Sequence, residues 1–277
     1  ASATRTPLAT TPLVEGVTPE GRSLANQDYT VQLAQYGDWV GLTDVVSTTH
    51  PDNILGELTD LLGENAAETV ETLRYNVLKA GTNVFYANNV AGRSTVATAI
   101  SRTDQRRVTT ALNRQNAKKI TSVVASRPDY GTASVEAGYV AVVHPDLESD
   151  IRNMTGFKAV ADYGPHTSPW EGEIGSVEQV RYIATTVAKP FLGAGVVIAS
   201  APTMRSNAGV NVDVCPVLYF ARDAFGIVPL KGHSSMTPMV VNPKPAPGDP
   251  LGQRGSVGWK LWTATVILQE AFMVRLE

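Results

Sequence analysis

GSVGWKLWTATVILQEAFMVRLE, residues 255–277, is the stretch whose reading decides the fold. Val257, Trp259 and Leu261 alternate with Gly258 and Lys260, the period-two signature of a strand. Residues 261–268 are apolar at both parities apart from threonine, as a strand covered on both faces requires. From Phe272 on, the phase reverses: Phe272, Val274 and Leu276 alternate with Arg275 and Glu277. Closing residues are usually polar and frayed. These read instead as one long central strand that completes a sheet begun elsewhere. That is the pattern of a discontinuous domain, in which the chain leaves, builds a second module and returns.

Working outward, TPMVVNPKPAPGDPLGQRG (237–255) is proline-dense and reads as a stiff connector. VDVCPVLYFARDAFGIVPL (212–230) reads as strand, turn, strand. Residues 190–212 hold Gly193, Gly195, Pro202, Asn207 and Gly209, the composition of a long loop. VEQVRYIATT (177–186) alternates as a strand, and YVAVV (139–143) is a buried one. HPDLESDIRN (144–153) starts a helix with Pro145 at its first position. Residues 101–119 form a helix capped by Ser101 or Thr103. NVFYA (83–87) is a short strand.

The strongest helical element is 51–80. Ile54, Leu58, Leu61, Leu62, Ala66, Val70, Leu73 and Val77 follow i, i+3, i+4 spacing. Pro51 and Asp52 suit its start, Lys79 its last turn and Gly81 its stop. Some 30 residues give a helix of about 45 Å, long enough to span a domain. Before it, Tyr29, Val31 and Leu33 alternate with polar neighbours, and the phase shifts near Gly37 ahead of Trp39, Val40 and Leu42. With TPEG (18–21) as turn chemistry, 14–46 reads as a long β-hairpin with a bulge or bend near Gly37. Residues 1–13 read as an extended arm.

Composition excludes more than it selects. The 277 residues are 43% hydrophobic and 18% charged, with net charge -3, so no whole-chain nucleic-acid footprint exists. The single cysteine, Cys215, reads as a buried apolar residue, and a reducing compartment fits. No run approaches a membrane span of ~20 residues, and no membrane partner is expected. No signal peptide is visible, and the missing initiator Met suggests a processed or truncated start.

Catalytic templates fail in turn. There is no nucleophile elbow, P-loop or zincin motif. His50, His144, His166 and His233 are scattered. His144 with Asp146 reads as helix-start chemistry rather than half a metal site. FLGAG (191–195) reads as a loop, and Glu171 and Glu173 sit too close in sequence for a glycosidase dyad. The expectation is no enzyme, no cofactor and no metal. One charge feature remains: Arg102, Arg106, Arg107, Arg114 and Lys118 share one helix with Lys119, against a single acid, Asp104. It reads as a solvated face, a dock for a neighbour's carboxylates or a non-specific phosphate contact.

The order of elements resembles the major capsid proteins of tailed double-stranded DNA bacteriophages, the Hong Kong 97-type fold, and within them the coliphage N-four coat subfamily. TPLVEGVTPEG (11–21), QYGDWVGLTD (35–44), YVAVVHPDLESDIR (139–152), GEIGSVEQVRYI (172–183), VDVCPVLYFARDAFGIVPL (212–230) and QRGSVGWKLWTATVILQEAFMVRLE (253–277) carry the resemblance. It implies an α+β fold with an N-terminal arm (1–13), an extended β-hairpin loop over a neighbouring subunit (14–46), and a peripheral domain (47–137) with spine helix 51–80. An α/β axial domain (138–230) follows, with 201–210 as its central loop, then a connector and return strand (231–277).

The implied function is a self-assembling icosahedral shell of hexamers and pentamers around double-stranded DNA, formed in the host cytoplasm with portal, scaffold and decoration partners. Tyr29, Val31, Leu33, Tyr36 and Trp39 are the candidate inter-subunit contacts. Arg102, Arg106, Arg107, Arg114 and Lys118 are the candidate lumenal, DNA-facing residues. The absence of lysine from 10–50 excludes a lysine crosslink there. An encapsulin-like shell around protein cargo, or an α+β enzyme without a recognisable motif, are the alternatives.

Overall fold

The computed structural model describes residues 2–3, 12–18, 21, 26–49, 54–121, 137–163, 170–201, 204–207, 209–229, 236–245 and 247–277. Most of the expected arm, the centre of TPEG, Pro51 and Asp52, and His50, His166 and His233 lie outside them.

In chain order the elements are β1 (Ser2–Ala3), β2 (Asn26–Gln27), β3 (Ala34–Thr43), α1 (Asp44–Thr49), α2 (Ile54–Lys79), β4 (Val84–Phe85) and α3 (Arg102–Arg114). Then come β5 (Tyr139–Val143), α4 (Glu148–Arg152), β6 (Phe157–Ala159), β7 (Glu173–Val177), β8 (Val180–Ala184), β9 (Val217–Phe220), β10 (Phe225–Pro229), β11 (Thr237–Val241), β12 (Arg254–Ile267) and β13 (Met273–Leu276). β1 pairs with β2, and two larger sheets organise the rest.

The first larger sheet is built on β12, which pairs antiparallel with β3, β10 and β11. β3 and β11 both pair with 256–260, so they flank β12 on opposite edges. Val257, Trp259 and Leu261 face α2, where Leu62 and Ala66 meet them. The second sheet runs β4-β13-β9-β5-β8-β7-β6. α3 covers one face, with Val108 and Leu112 fully buried against Tyr139, Ala141, Tyr182 and Tyr219. The end of α2 covers part of the other, through Tyr75 and Leu78 on Leu218, Phe220 and Met273.

α2 therefore bridges the two sheets, and this changes its buried stripe. Leu61 and Val77, expected on the apolar face, are 60% and 37% exposed, whereas Tyr75 and Leu78 are buried. A helix resting on two differently inclined surfaces shifts its contact line, so one straight stripe cannot describe it.

Other expectations are corrected by pairing. The strand over 255–277 is two strands: β12 ends at Ile267, a 3₁₀ turn follows over Glu270–Phe272, and β13 enters the other sheet. The phase reversal at Phe272 marks that turn. The strand, turn, strand over 212–230 is real, but β9 and β10 lie in different sheets. The run at 177–186 is the end of β7, a turn, and β8.

Among the described residues 14–46 hold no hairpin. Tyr29–Leu33 is not in a ladder, and β3 takes its partner from β12, some 220 residues later. Nor is there a bulge at Gly37: the register is continuous from Ala34↔Thr263 to Thr43↔Arg254. Gly37 is required by close approach, since a Cβ there would lie 2.6 Å from the Trp259 carbonyl oxygen. Ser101 caps α3 by accepting from the Asp104 amide, and Pro145 opens the 3₁₀ turn that leads into α4, both as the sequence indicates.

Candidate assembly surfaces

The ribbon 28–43 carries the first candidate set. Tyr29, Val31 and Leu33 are half-buried. Tyr36 faces α2 and packs in the chain's own core, beside Val257 and Leu62, so its expected role as a free contact does not hold. Odd positions of β3 face away from α2. There Trp39 is 69% exposed, directly opposite Gly258 and between Gly37 and Gly41. The indole stands on a floor of glycines, with nothing among the described residues covering it.

The basic helix proves largely engaged. Arg102 and Arg106 both grip Glu178, each through an Nη2 at 2.5 Å. Arg107 pairs with Asp104 at 3.0 Å and reaches Asn89 at 2.6 Å. The helix expected over 101–119 ends at Arg114, where Gln115 caps it and Asn116 turns to positive φ, so Lys118 and Lys119 lie beyond it. Arg114 and Lys118 are exposed, with no carboxylate partner among the described residues. Nothing in sequence pointed to Glu178 as their partner, because it lies 72 residues from Arg106 in the β7–β8 turn, where its φ is +50°.

Hydrogen bonds from Arg106, then Arg102, hold the Glu178 carboxyl at about 2, below its ordinary 4.5. Because the folded-state value is depressed, this clamp contributes in full above the unfolded value of 4.5 and is lost as pH falls toward about 2. We expect thermal stability of the unassembled subunit to fall across that window, and Glu178→Gln to flatten the dependence. An unchanged slope in melting scans would refute it.

A third constellation was illegible in sequence. Glu277 has a fully buried side chain, bound bidentately by Arg93 at 2.6 and 2.8 Å and by Arg275 at 2.6 Å. The Arg93 guanidinium and the Lys79 ammonium lie 3.5 and 3.8 Å from the Phe191 ring centre, joining this cluster to the loop after β8. Arg275 also donates to the Lys79 and Gly81 carbonyls at the end of α2. The last described residues thus tie helix, sheet and loop together.

The 190–212 loop is pinned by another acid. Asp213, 8% exposed, accepts from the Gly193 amide at 2.6 Å and the Asn207 amide at 2.8 Å. Arg205 pairs with Asp146, and His144 Nδ1 accepts from the Asp146 amide, the helix-start role read from sequence. Leu192, Val197 and Val210 stay exposed at 63%, 52% and 63%. Burial raises the Cys215 thiol to about 11, consistent with a packing role.

An apolar groove of about 370 Å³ runs between α2 and the open face of the larger sheet, lined by Tyr75, Leu78, Val140, Val142, Phe220 and Ile227. Its charged groups, Glu71 and Arg74, pair with each other at 2.6 Å. Among the described residues no group of three or more His, Cys, Asp or Glu is placed to hold a metal, and no helix is long and apolar enough to cross a membrane.

Known proteins resemble the chain in sequence family and in fold. A family model described as phage capsid protein matches residues 27–276. No curated protein sequence matches. The fold is similar to the capsid of cyanophage P-SCSP1u, at 14% identity and TM-score 0.57, covering 97% of this chain and 79% of that one. It is similar to the capsid of Ralstonia phage GP4, at 13% identity and TM-score 0.63, covering 88% and 72%. It is also similar to the holo-SrpI encapsulin complex from Synechococcus elongatus PCC 7942, at 11% identity and TM-score 0.54, covering 92% and 77%. The α+β architecture is that of Hong Kong 97-type capsids, and with the family model spanning nearly its whole length, this chain belongs to the phage capsid protein family.

Proposed function

We propose that the chain is the major capsid protein of a tailed phage, resembling the coliphage N-four coat, which assembles as hexamers and pentamers into an icosahedral shell around double-stranded DNA. The observation that carries this is the family match over 27–276 together with a subunit whose ribbon leaves Trp39 uncovered. Portal, scaffold and decoration proteins, and assembly in the host cytoplasm, belong to the same reading. Residues 138–229 act as the axial domain, with Leu192, Val197 and Val210 meeting symmetry mates at the capsomer centre. β10 is the exception within that span, because it pairs with β12.

Arg114, at the end of α3, and Lys118, just past it, are the residues left to meet phosphate without reading bases. Arg102, Arg106 and Arg107 serve the fold. The likeness to an encapsulin supports a second reading, a shell around protein cargo. The shell's contents separate the two.

The test is electron microscopy of particles from infected cells, with nuclease-protected DNA measured in parallel. Closed icosahedral particles holding DNA are expected; shells filled with protein would select the encapsulin reading. Trp39→Ala should lower particle yield while the circular dichroism of the unassembled subunit is unchanged. Equal loss of both would remove Trp39 from the interface.

A further inference from the structure

Among the described residues β3 has one ladder, with β12, and one open edge. The Asp44 amide donates to the Gln253 carbonyl, continuing the β3–β12 register, so even-numbered residues of β3 turn their main-chain groups toward β12. Odd-numbered residues, Gln35, Gly37, Trp39, Gly41 and Thr43, turn theirs outward. Of these the Trp39 amide alone has a partner among the described residues, its neighbour Asp38 at 2.8 Å. Ten residues at about 3.4 Å each give an edge of roughly 34 Å, and an edge of that length with no proline and with Asp38 as its one charged residue invites pairing.

The opposite edge of the sheet is blunted. On β11 the outward positions are 238 and 240, and Pro238 has no amide proton to offer. The same chain also holds a run with strand-like alternation and no ladder. Residues 28–33 alternate exposed and half-buried, as a strand does, yet no main-chain hydrogen bond joins them to the described residues.

We propose that residues 28–33 of one copy add as a strand to the free edge of β3 in the next copy. The occupant is a second copy because the chain itself supplies the missing strand, and because members of this family form shells of many copies. Donor run and acceptor edge are different surfaces of one ribbon, so the contact is head-to-tail. Such contacts close into rings when the rotation permits. Main-chain pairing supplies the affinity, and Trp39 supplies an apolar anchor beside it. Asp38, holding the Trp39 amide, guards the centre of the edge in the free subunit. This rests on the shell reading above, but it is tested separately from it.

Gly41→Pro removes an outward amide without touching the β12 ladder, and a Cβ at Gly41 meets only the Trp39 ring, at 3.4 Å. Gly41→Ala keeps the amide. Loss of one such hydrogen bond should weaken each contact about tenfold. Gly41→Ala should therefore assemble and Gly41→Pro should not, with equal circular dichroism in the unassembled state.

Hydrogen exchange of the wild-type chain covers the case in which Gly41→Pro fails to fold. Peptides spanning 28–33 and 35–43 should both gain protection on assembly. Shells forming equally well from both variants, or protection of neither peptide, would overturn the proposal and leave the shell reading intact. Protection of 35–43 alone would overturn it too, since another segment would then be the donor. Failure of the wild type to form any particle would instead count against the shell reading.

Discussion

Deletion of residues 271–277 abolishes the folded subunit. β13 is an interior strand of the larger sheet, parallel to β4 on one side and antiparallel to β9 on the other. Met273, Val274 and Leu276 are 1%, 0% and 2% exposed, and they serve both faces: Val274 and Leu276 meet the α3 side, Met273 the α2 side. Each contributes about 1.5–3 kcal/mol by burial. The deletion also exposes an edge of β9 and frees Arg93. The sum rivals the net stability of an entire domain, ~5–15 kcal/mol. The truncated chain should be found in the insoluble fraction, with no cooperative unfolding transition. A soluble, assembling truncation would show that β13 is peripheral.

Glu277→Ala is the largest effect expected from one side chain. It leaves Arg275, whose side chain is 10% exposed, buried without its carboxylate, while Arg93, at 31%, can turn to water. Breaking a buried pair by removing one partner costs about 3–5 kcal/mol, because the surviving charge stays desolvated. Urea unfolding of the unassembled subunit should report a loss of that order. The double variant Arg275→Met/Glu277→Leu should recover much of it, since apolar groups carry no such penalty. If the double variant is no better than Glu277→Ala, then the pair acts by holding the α2 carbonyls that Arg275 reaches, and the charge account is wrong.

Local patterns were legible in the sequence because they follow from the geometry of a single element. An unbroken apolar run placed β5, alternation placed β12, the 3.6 period placed α2, Ser101 and Pro145 marked where α3 and the 145–152 helical stretch begin, and the reversed phase at Phe272 recorded a change of surroundings. Partnership was not legible. Val217–Phe220 and Phe225–Pro229 look alike as apolar runs, yet they enter different sheets, because a strand's pattern states how many of its faces are covered and not by what. The apparent hairpin at 14–46 failed for the same reason: β3 found its ladder in β12.

Of the candidate surfaces, Trp39 was visible as a large apolar side chain on a strand, and its exposure, like the burial of Tyr36, was decided by which face α2 covers. Alternation set Arg275 and Glu277 on the face opposite Val274 and Leu276. Only the tertiary structure brought Arg93 from a distant turn to pair with Glu277 on a buried face. Periodicity and capping are written in neighbouring residues, within reach of one turn or one pleat. Ion pairs, ladders and free edges depend on which distant surfaces meet, and that is a property of the packed chain.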